Sequence, residues 1–411
     1  MDSRMIDTVE DFIKTGIEEN VQPVSPKKNV FWQNLLKTGT DLWLDTGDID
    51  GATRLWSDEM SALTTNNTLL NKEIQKGIYD EDIMKANQLL ENLDLKERII
   101  EIAFILNARH GLKLVHTFGA KVSVELHTDV AHDLEKSIRY AERFHKISPT
   151  HFIIKIPLTP TGYLATRNLR EKGIPINFTL NFSARQNLLA VVFSKPSYVN
   201  VFLGRLNAYV MDNQLGDGNM VGEKATLASQ RVVAEYSKRN PEPTRQIAAS
   251  MRDASQVTSL AGVDVFTMPL KVAENALEML DGRFSSCKDK DYSVQLSNDI
   301  EQESVKIDKL WNCADREYDF ALELDKNPPD SSEEFIERAH MAGLQDLFPN
   351  ITDQELYQIE QDGKIPDHKR WYRRISDNTL SIDALSNLAG LASFSADQRA
   401  FDERIKSLII Q

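Results

Sequence analysis

Lys155 stands in the run FIIKIP, between Ile153, Ile154, Ile156 and Pro157. It is the only lysine inside an apolar strand-like run that is flanked by polar strand ends. A charge there costs several kcal/mol unless it is paired or put to use. Strand side chains alternate between faces, so Lys155 shares a face with Ile153 and Pro157. That face is either an enclosed interior or a poorly covered surface. Desolvation penalises an ammonium, and a free amine in a dry pocket is what carbonyl addition and Schiff-base formation require. Other apolar runs also end in polar groups. INFTLN puts Asn177, Thr179 and Asn181 on one face, AKVSVEL ends near Glu125, LWLDTGD reaches Asp45 and Asp48, and ALTTNN ends in Thr64, Thr65 and Asn66. An acid just past a strand is a common helix N-cap, and Asp48 reads that way. Together the set supplies an amine nucleophile, carboxylates for proton transfer, and hydroxyl and amide groups suited to a polyol. Arg205 follows VFLG, and Arg252 follows AASM. Guanidinium groups bind phosphate bidentately; the alternative is a surface arginine at a helix start, where the helix dipole favours anions instead.

The elements that must carry these residues alternate in type. Eight short apolar segments (42–46, 62–67, 120–126, 152–157, 176–181, 198–204, 245–250 and 263–269) are separated by helical patterns such as 134–147, 161–173, 227–240 and 254–262. That order predicts βαβ units and a parallel sheet, and eight units fit a closed (β/α)8 TIM barrel. Active sites of such barrels form at the C-terminal strand ends, and their late loops often hold phosphate. An open doubly wound sheet would usually show a glycine-rich phosphate turn after its first strand, and this chain has none. Residues 1–40 read as an N-terminal helical extension with a helix over 9–19, 41–285 as the barrel, 286–365 as a helical insertion and 366–411 as C-terminal helices packing on the barrel. Helices are expected over 300–324, 331–344, 352–363 and 395–409, and WYRR (371–374) as a solvated helix face.

Composition narrows the classes. The chain has 411 residues and a net charge of −14, from 62 acids against 48 bases. A nucleic-acid binder needs a basic footprint, which is missing, whereas a few buried arginines can still hold a small phosphate. Apolar runs such as LLAVVF fall far short of the ~20 residues that span a bilayer. Two cysteines form no disulfide framework or metal motif, so the expectation is a cytoplasmic protein without a membrane partner or a metal.

Taken together, these residues resemble the transaldolase family. The stretch IKIPLTPTGYLATRNLREKGIPINFTLNFSARQ (154–186) is similar to the family's I-K-I/L-P followed by E-x-G-I-x-x-N-x-T-L-x-F-S. D-T-G-D (45–48), T-T-N (64–66), F-x-G-R (202–205), A-S-x-R (249–252) and the closing FSADQRAFDERIKSLI (394–409) match as well. The resemblance implies a Schiff-base lysine at Lys155, an acid/base acting through water at Glu125, and a carboxylate at Asp45 that promotes carbon–carbon cleavage. A second register would put Lys121 in the place of Glu125; V-S-V-E and the following Asp133 favour Glu125. Asn66, Asn177 and Thr179 would contact dihydroxyacetone and the catalytic water, with Thr64, Asn200 and Phe202 lining the substrate site. Arg205, Ser250 and Arg252 would hold a sugar phosphate. The implied reaction transfers a dihydroxyacetone unit from fructose 6-phosphate or sedoheptulose 7-phosphate to an aldose phosphate in the pentose phosphate pathway. It uses no cofactor, and a homodimer is compatible with it. Three departures stand out: Asn200 replaces a serine, T-T-N-N-T replaces T-T-N-P-S, and His127 and Thr128 stand where the family has D-A-R-L-S. They leave open a related enzyme acting on another ketose. A barrel without catalysis, serving as a binding protein, is the third reading, and the intact Lys155, Glu125 and Asp45 set argues against it.

Overall fold

A computed structural model describes residues 3–240, 242–298 and 300–410. Eight strands, β1 (Asp41–Asp45), β2 (Met60–Thr64), β3 (Lys121–Glu125), β4 (Phe152–Pro157), β5 (Ile176–Thr179), β6 (Tyr198–Phe202), β7 (Arg245–Ala249) and β8 (Val265–Pro269), form a closed barrel in sequence order. Every pairing is parallel, including β8 back onto β1. All six residues of β4 are buried, as a strand between interior side chains and an outer helix layer must be.

Several strand ends are polar because the next helix needs a cap. Asp48 accepts from Gly51 N, Asn66 from Leu69 N, Asp133 from Lys136 N and Thr159 from Gly162 N. Each satisfies a backbone donor that the first helical turn leaves open. Asp48 therefore has the capping role expected of it, and Asn66 combines a cap with a place at the barrel mouth.

Elsewhere the elements differ from expectation. The first helix is Ser3–Lys14, ahead of the expected span. A 24-residue helix, Leu95–Phe118, is buried on nearly all sides, so it carries no amphipathic stripe for periodicity to find. The 300–324 stretch breaks into Gln302–Val305, the 3-10 turn Ile307–Leu310 and Asp315–Lys326. Lys306 in the left-handed region (φ 52°) makes the first break. In WYRR, Trp371 is buried, and its Nε1 donates to Asp362; only its neighbours Tyr372 and Arg373 face outward. The closing helix is Ile382–Ile409, nearly twice the expected length.

The added helices share the barrel's core. Phe335 of the Ser332–Met341 helix stacks on Tyr163 at 5.3 Å and meets Phe348 at 5.1 Å. Tyr163 belongs to the Pro160–Glu171 helix that follows β4. Arg185, after β5, is fully buried. It donates to Asp383 at 2.9 and 2.8 Å and to Asp346 at 3.0 Å, so it joins the barrel to both the added region and the start of the last helix. That helix crosses the barrel mouth, where Asn387 donates to the carbonyls of Leu158 and Leu180, both at 2.9 Å. Among the described residues no helix is long and apolar enough to cross a membrane.

Candidate active site

Strand register places Lys155 beside Glu125 on one side and Asn177 on the other, and Asp45 beside Thr64. These positions lie at the C-terminal ends of the strands, where a parallel barrel opens into its loops. A cavity of about 230 Å³ sits there. Asp45, Thr64, Asn66, Lys155, Asn177, Asn200, Phe202, Arg205, Ser250 and Arg252 line it. Of the residues that the resemblance assigns to the site, Glu125 and Thr179 fall outside this wall. Glu125 borders a small adjoining recess with Asn67, His127 and Gln398. Thr179 is fully enclosed, and its hydroxyl makes no hydrogen bond.

Lys155 is 4% exposed, and its Nζ donates to the carbonyl of Thr65 at 3.0 Å. The Glu125 carboxylate accepts from Asn67 N at 3.2 Å. Burial raises its pKa, an effect the Lys155 charge and the Asn67 N–H only partly offset. Asp45 is raised in the same way, by burial against the opposing pull of Lys155 and of the Thr64 hydroxyl, which donates to it at 2.8 Å. Because Thr64 donates to Asp45, the Thr267 hydroxyl must be the donor in the 2.6 Å contact between the two threonines. Lys121 is exposed at the opposite end of β3, so the geometry places Glu125, and not Lys121, beside Lys155. On the far side, Asn177 donates to Ser123 Oγ at 3.1 Å, and Asn200 donates to Asn177 Oδ1 at 3.4 Å.

Two arginines close one end. Arg205 lies in the first turn of the Leu203–Asp212 helix and is 8% exposed, with Nη1 unpartnered. Burial, reinforced by the nearby Arg252 charge, pulls its pKa down to about 10, so it stays charged. Its guanidinium stands over the rings of Phe202 (5.4 Å) and Phe394 (5.6 Å). Gly204 makes the arrangement feasible: a Cβ there would come within 2.2 Å of the Ser250 carbonyl and 2.9 Å of Arg252 Cγ. The arginine-bearing loops thus pack backbone to backbone. Among the described residues no cluster of three or more His, Cys, Asp or Glu is arranged to hold a metal.

Sequence reasoning missed several wall residues. Thr267 sits in β8, a segment in which sequence reasoning singles out no site residue. Phe394 comes down from the last helix to 5.9 Å from Lys155 Nζ; it lay inside a quoted motif but carried no sign of its position. Lys364, from the added region, also lines the cavity. Behind the β1 turn, His110 Nδ1 shares a 2.8 Å hydrogen bond with the Tyr79 hydroxyl and the ring lies against Gly47, and burial holds its pKa down at about 4. It stands on the uniformly buried Leu95–Phe118 helix, which sequence periodicity does not reveal.

Comparison with known proteins gives one consistent result. A family model described as transaldolase/fructose-6-phosphate aldolase matches residues 42–315. A transaldolase from Xanthomonas euvesicatoria pv. vesicatoria is 30% identical over 247 residues, covering 58% of this chain and 74% of that protein. A probable transaldolase from Thermus thermophilus is 31% identical over 243 residues, covering 58% of this chain and 91% of that protein. A transaldolase from Chlamydia muridarum is 28% identical over 247 residues, covering 58% of this chain and 74% of that protein. Residues beyond 315, Lys364 and Phe394 included, lie outside the match to the family model.

Proposed function

The chain belongs to the transaldolase/fructose-6-phosphate aldolase family and is an enzyme, and from that premise we propose that it transfers a dihydroxyacetone unit from a ketose phosphate to an aldose phosphate through a Schiff base on Lys155. The observation that carries this reading is a buried lysine flanked in strand register by Glu125 and Asn177, in a cavity closed at one end by Arg205 and Arg252.

The chemistry follows from the side chains. Lys155 Nζ adds to the C2 carbonyl of the ketose, and loss of water gives an iminium. Glu125 moves the protons of that dehydration through an intervening water, consistent with its place behind the cavity wall. Asp45 takes the C4 hydroxyl proton, the C3–C4 bond breaks, and its electron pair flows into the iminium. An aldose phosphate departs, and a three-carbon enamine stays on the lysine. The enamine carbon then attacks an acceptor aldehyde, re-forming the iminium, and water releases the new ketose. Arg205, Arg252 and Ser250 hold the phosphate; Thr64 orients Asp45; Asn66, Asn177 and Asn200 serve the hydroxyl groups, and Thr179, enclosed outside the cavity wall like Glu125, is left to the catalytic water. Burial raises Asp45 and Glu125 above their ordinary carboxylate values, which makes each a stronger base once ionised.

We assign the reaction to fructose 6-phosphate or sedoheptulose 7-phosphate as donor, within the pentose phosphate pathway. A second reading, another ketose, draws on Asn200, which stands in the cavity wall where the family resemblance expects serine. Borohydride reduction in the presence of fructose 6-phosphate should add mass to the peptide carrying Lys155. Label retained by Lys155→Arg would overturn the assignment. Assay of fructose 6-phosphate with erythrose 4-phosphate, of sedoheptulose 7-phosphate with glyceraldehyde 3-phosphate, and of other ketoses with the same acceptors separates the two substrate readings.

A further inference from the structure

We propose that Lys364 is a third cation of the phosphate end of the cavity and contacts the phosphate of bound substrate. The inference rests on the reading of that end as a phosphate site. Lys364 comes from the loop between the Asp353–Asp362 and His368–Ser376 helices, outside the barrel, yet it lines the same cavity as Arg205, Ser250 and Arg252. Among the described residues, none of these three cationic side chains is paired with a carboxylate, and Lys364 makes no hydrogen bond. Asp397 acts on Arg205 only through its field; its own carboxylate accepts from Thr68. Among the described residues about half of the other lysines and arginines of this acidic chain are ion-paired, the buried Arg109, Arg143 and Arg185 among them. Three unpartnered cations facing one cavity call for an anion from outside.

The loop is built, not merely nearby. Gly363 ends the first helix at φ 77°, and Asp367 caps the next. Between them, the Pro366 carbonyl accepts from Asn213 Nδ2 at 3.0 Å, while His368 N donates to Asn213 Oδ1 at 2.8 Å. The Tyr209 hydroxyl reaches His368 Nδ1 at 2.7 Å. Tyr209 and Asn213 stand at the far end of the helix whose first turn carries Arg205. The lysine loop is thus fastened to the arginine helix by three hydrogen bonds, and the two charges are held in one frame.

The test is steady-state kinetics of Lys364→Ala, Lys364→Glu and Lys364→Arg, with Lys369→Ala as an exposed lysine that does not line the cavity. A rim cation on a phosphate is worth a modest factor. The alanine variant should therefore raise the KM for fructose 6-phosphate about three- to tenfold, with the larger part of the effect in KM and not in kcat. The glutamate variant should raise it further, and arginine should restore it. With D-glyceraldehyde as an unphosphorylated acceptor, the acceptor KM should shift by clearly less than with erythrose 4-phosphate. Added salt should narrow the difference between wild type and variants. Equal shifts for both acceptors would reduce Lys364 to a structural part of the loop, and a wild-type KM in Lys364→Glu would remove it from the site. Borohydride trapping of the wild type separates the two claims. If trapping succeeds and Lys364→Glu behaves as wild type, only the lysine inference fails. If trapping fails, the Schiff-base reading fails, and titration calorimetry with inorganic phosphate, wild type against Lys364→Glu, decides the lysine by itself.

Discussion

On the proposed reading, the two carboxylates and one phenylalanine near Lys155 set the chemistry at the scale of single residues. Burial raises both Asp45 and Glu125. Asp45 must be ionised to take a proton, so kcat/KM should fall on acidification at a pH above the ordinary carboxylate range of ~4. A pH–rate profile measures this, and an acid limb at or below ordinary aspartate would contradict it. Glu125→Gln should lower turnover ~10²–10⁴-fold, whereas Lys121→Ala, at the other end of the strand, should stay near wild type. The reverse pattern would restore the other register. Phe202 bears on the fate of the enamine. It lines the cavity with its ring near Phe182 (5.7 Å) and Phe394 (6.4 Å). The family resemblance implies a tyrosine in this place in related aldolases, and a phenol can protonate the enamine carbon, which ends the reaction by releasing dihydroxyacetone. Phenylalanine donates no proton, so the enamine should persist until an acceptor arrives. Phe202→Tyr should raise the dihydroxyacetone released per turnover without acceptor; a wild type that already releases it as fast as it transfers would be an aldolase.

Elements differ in how much of them the sequence discloses, for a physical reason. All eight strands were legible, because a parallel barrel strand is a short β-branched run between cap and turn residues. Polar groups within those runs, Lys155 and Asn177 above all, stood out because a buried strand tolerates few of them. The Leu95–Phe118 helix was invisible to the same method: burial on nearly every side removes the periodicity that marks a helix, and His110 went unseen with it. Backbone proximity is equally silent in a sequence. The glycine of F-x-G-R matched a motif, but the reason for it is spatial: Ser250 and Arg252 leave no room for a Cβ. Gly204→Ala should therefore push the Ser250–Arg252 loop outward. We expect a destabilisation of about 1–3 kcal/mol, the usual range for overpacking, and a higher KM for phosphorylated substrates. Denaturant melts and kinetics would check both, and unchanged values in both would mean that the two loops separate freely.

For the whole molecule, the informative fact is how the helices beyond the family match are tied to the barrel mouth. Their amphipathic spacing was legible, but their docking was not, because a residue such as Arg185 gives no sequence sign that three acids from distant segments converge on it. Buried Arg185 meets Asp383 at the start of the last helix, Asp346, which also holds Lys309, and Glu317. That last helix then delivers Asn387, Gly390 and Phe394 to the site; a Cβ on Gly390 would reach within 3.2 Å of Arg205 Nη1. Burial by itself would raise the Asp383 carboxyl, but the Arg185 charge and hydrogen bonds from Arg185, Ser183 and Ser381 bring it down to about 2 from 3.8. A carboxyl depressed on folding stabilises the native state above its unfolded pKa, and that stabilisation is lost as pH falls through the folded value. The difference is worth about 2 kcal/mol at neutral pH, present above roughly pH 4 and fading towards pH 2. Arg185→Met reverses the sign. Removing one partner of a buried ion network costs about 3–5 kcal/mol, here because the acids keep their charge in a dry site without their main cation. Those acids regain stability when protonated, so the deficit of Arg185→Met against wild type should be largest near pH 7 and shrink steadily towards pH 4. Urea melts of both proteins across that range measure it, with the Schiff-base yield at each pH as a check that the mouth still closes over Lys155. A deficit that stays constant with pH would show that the loss is one of packing, and that the ion network does not fasten the last helix to the barrel.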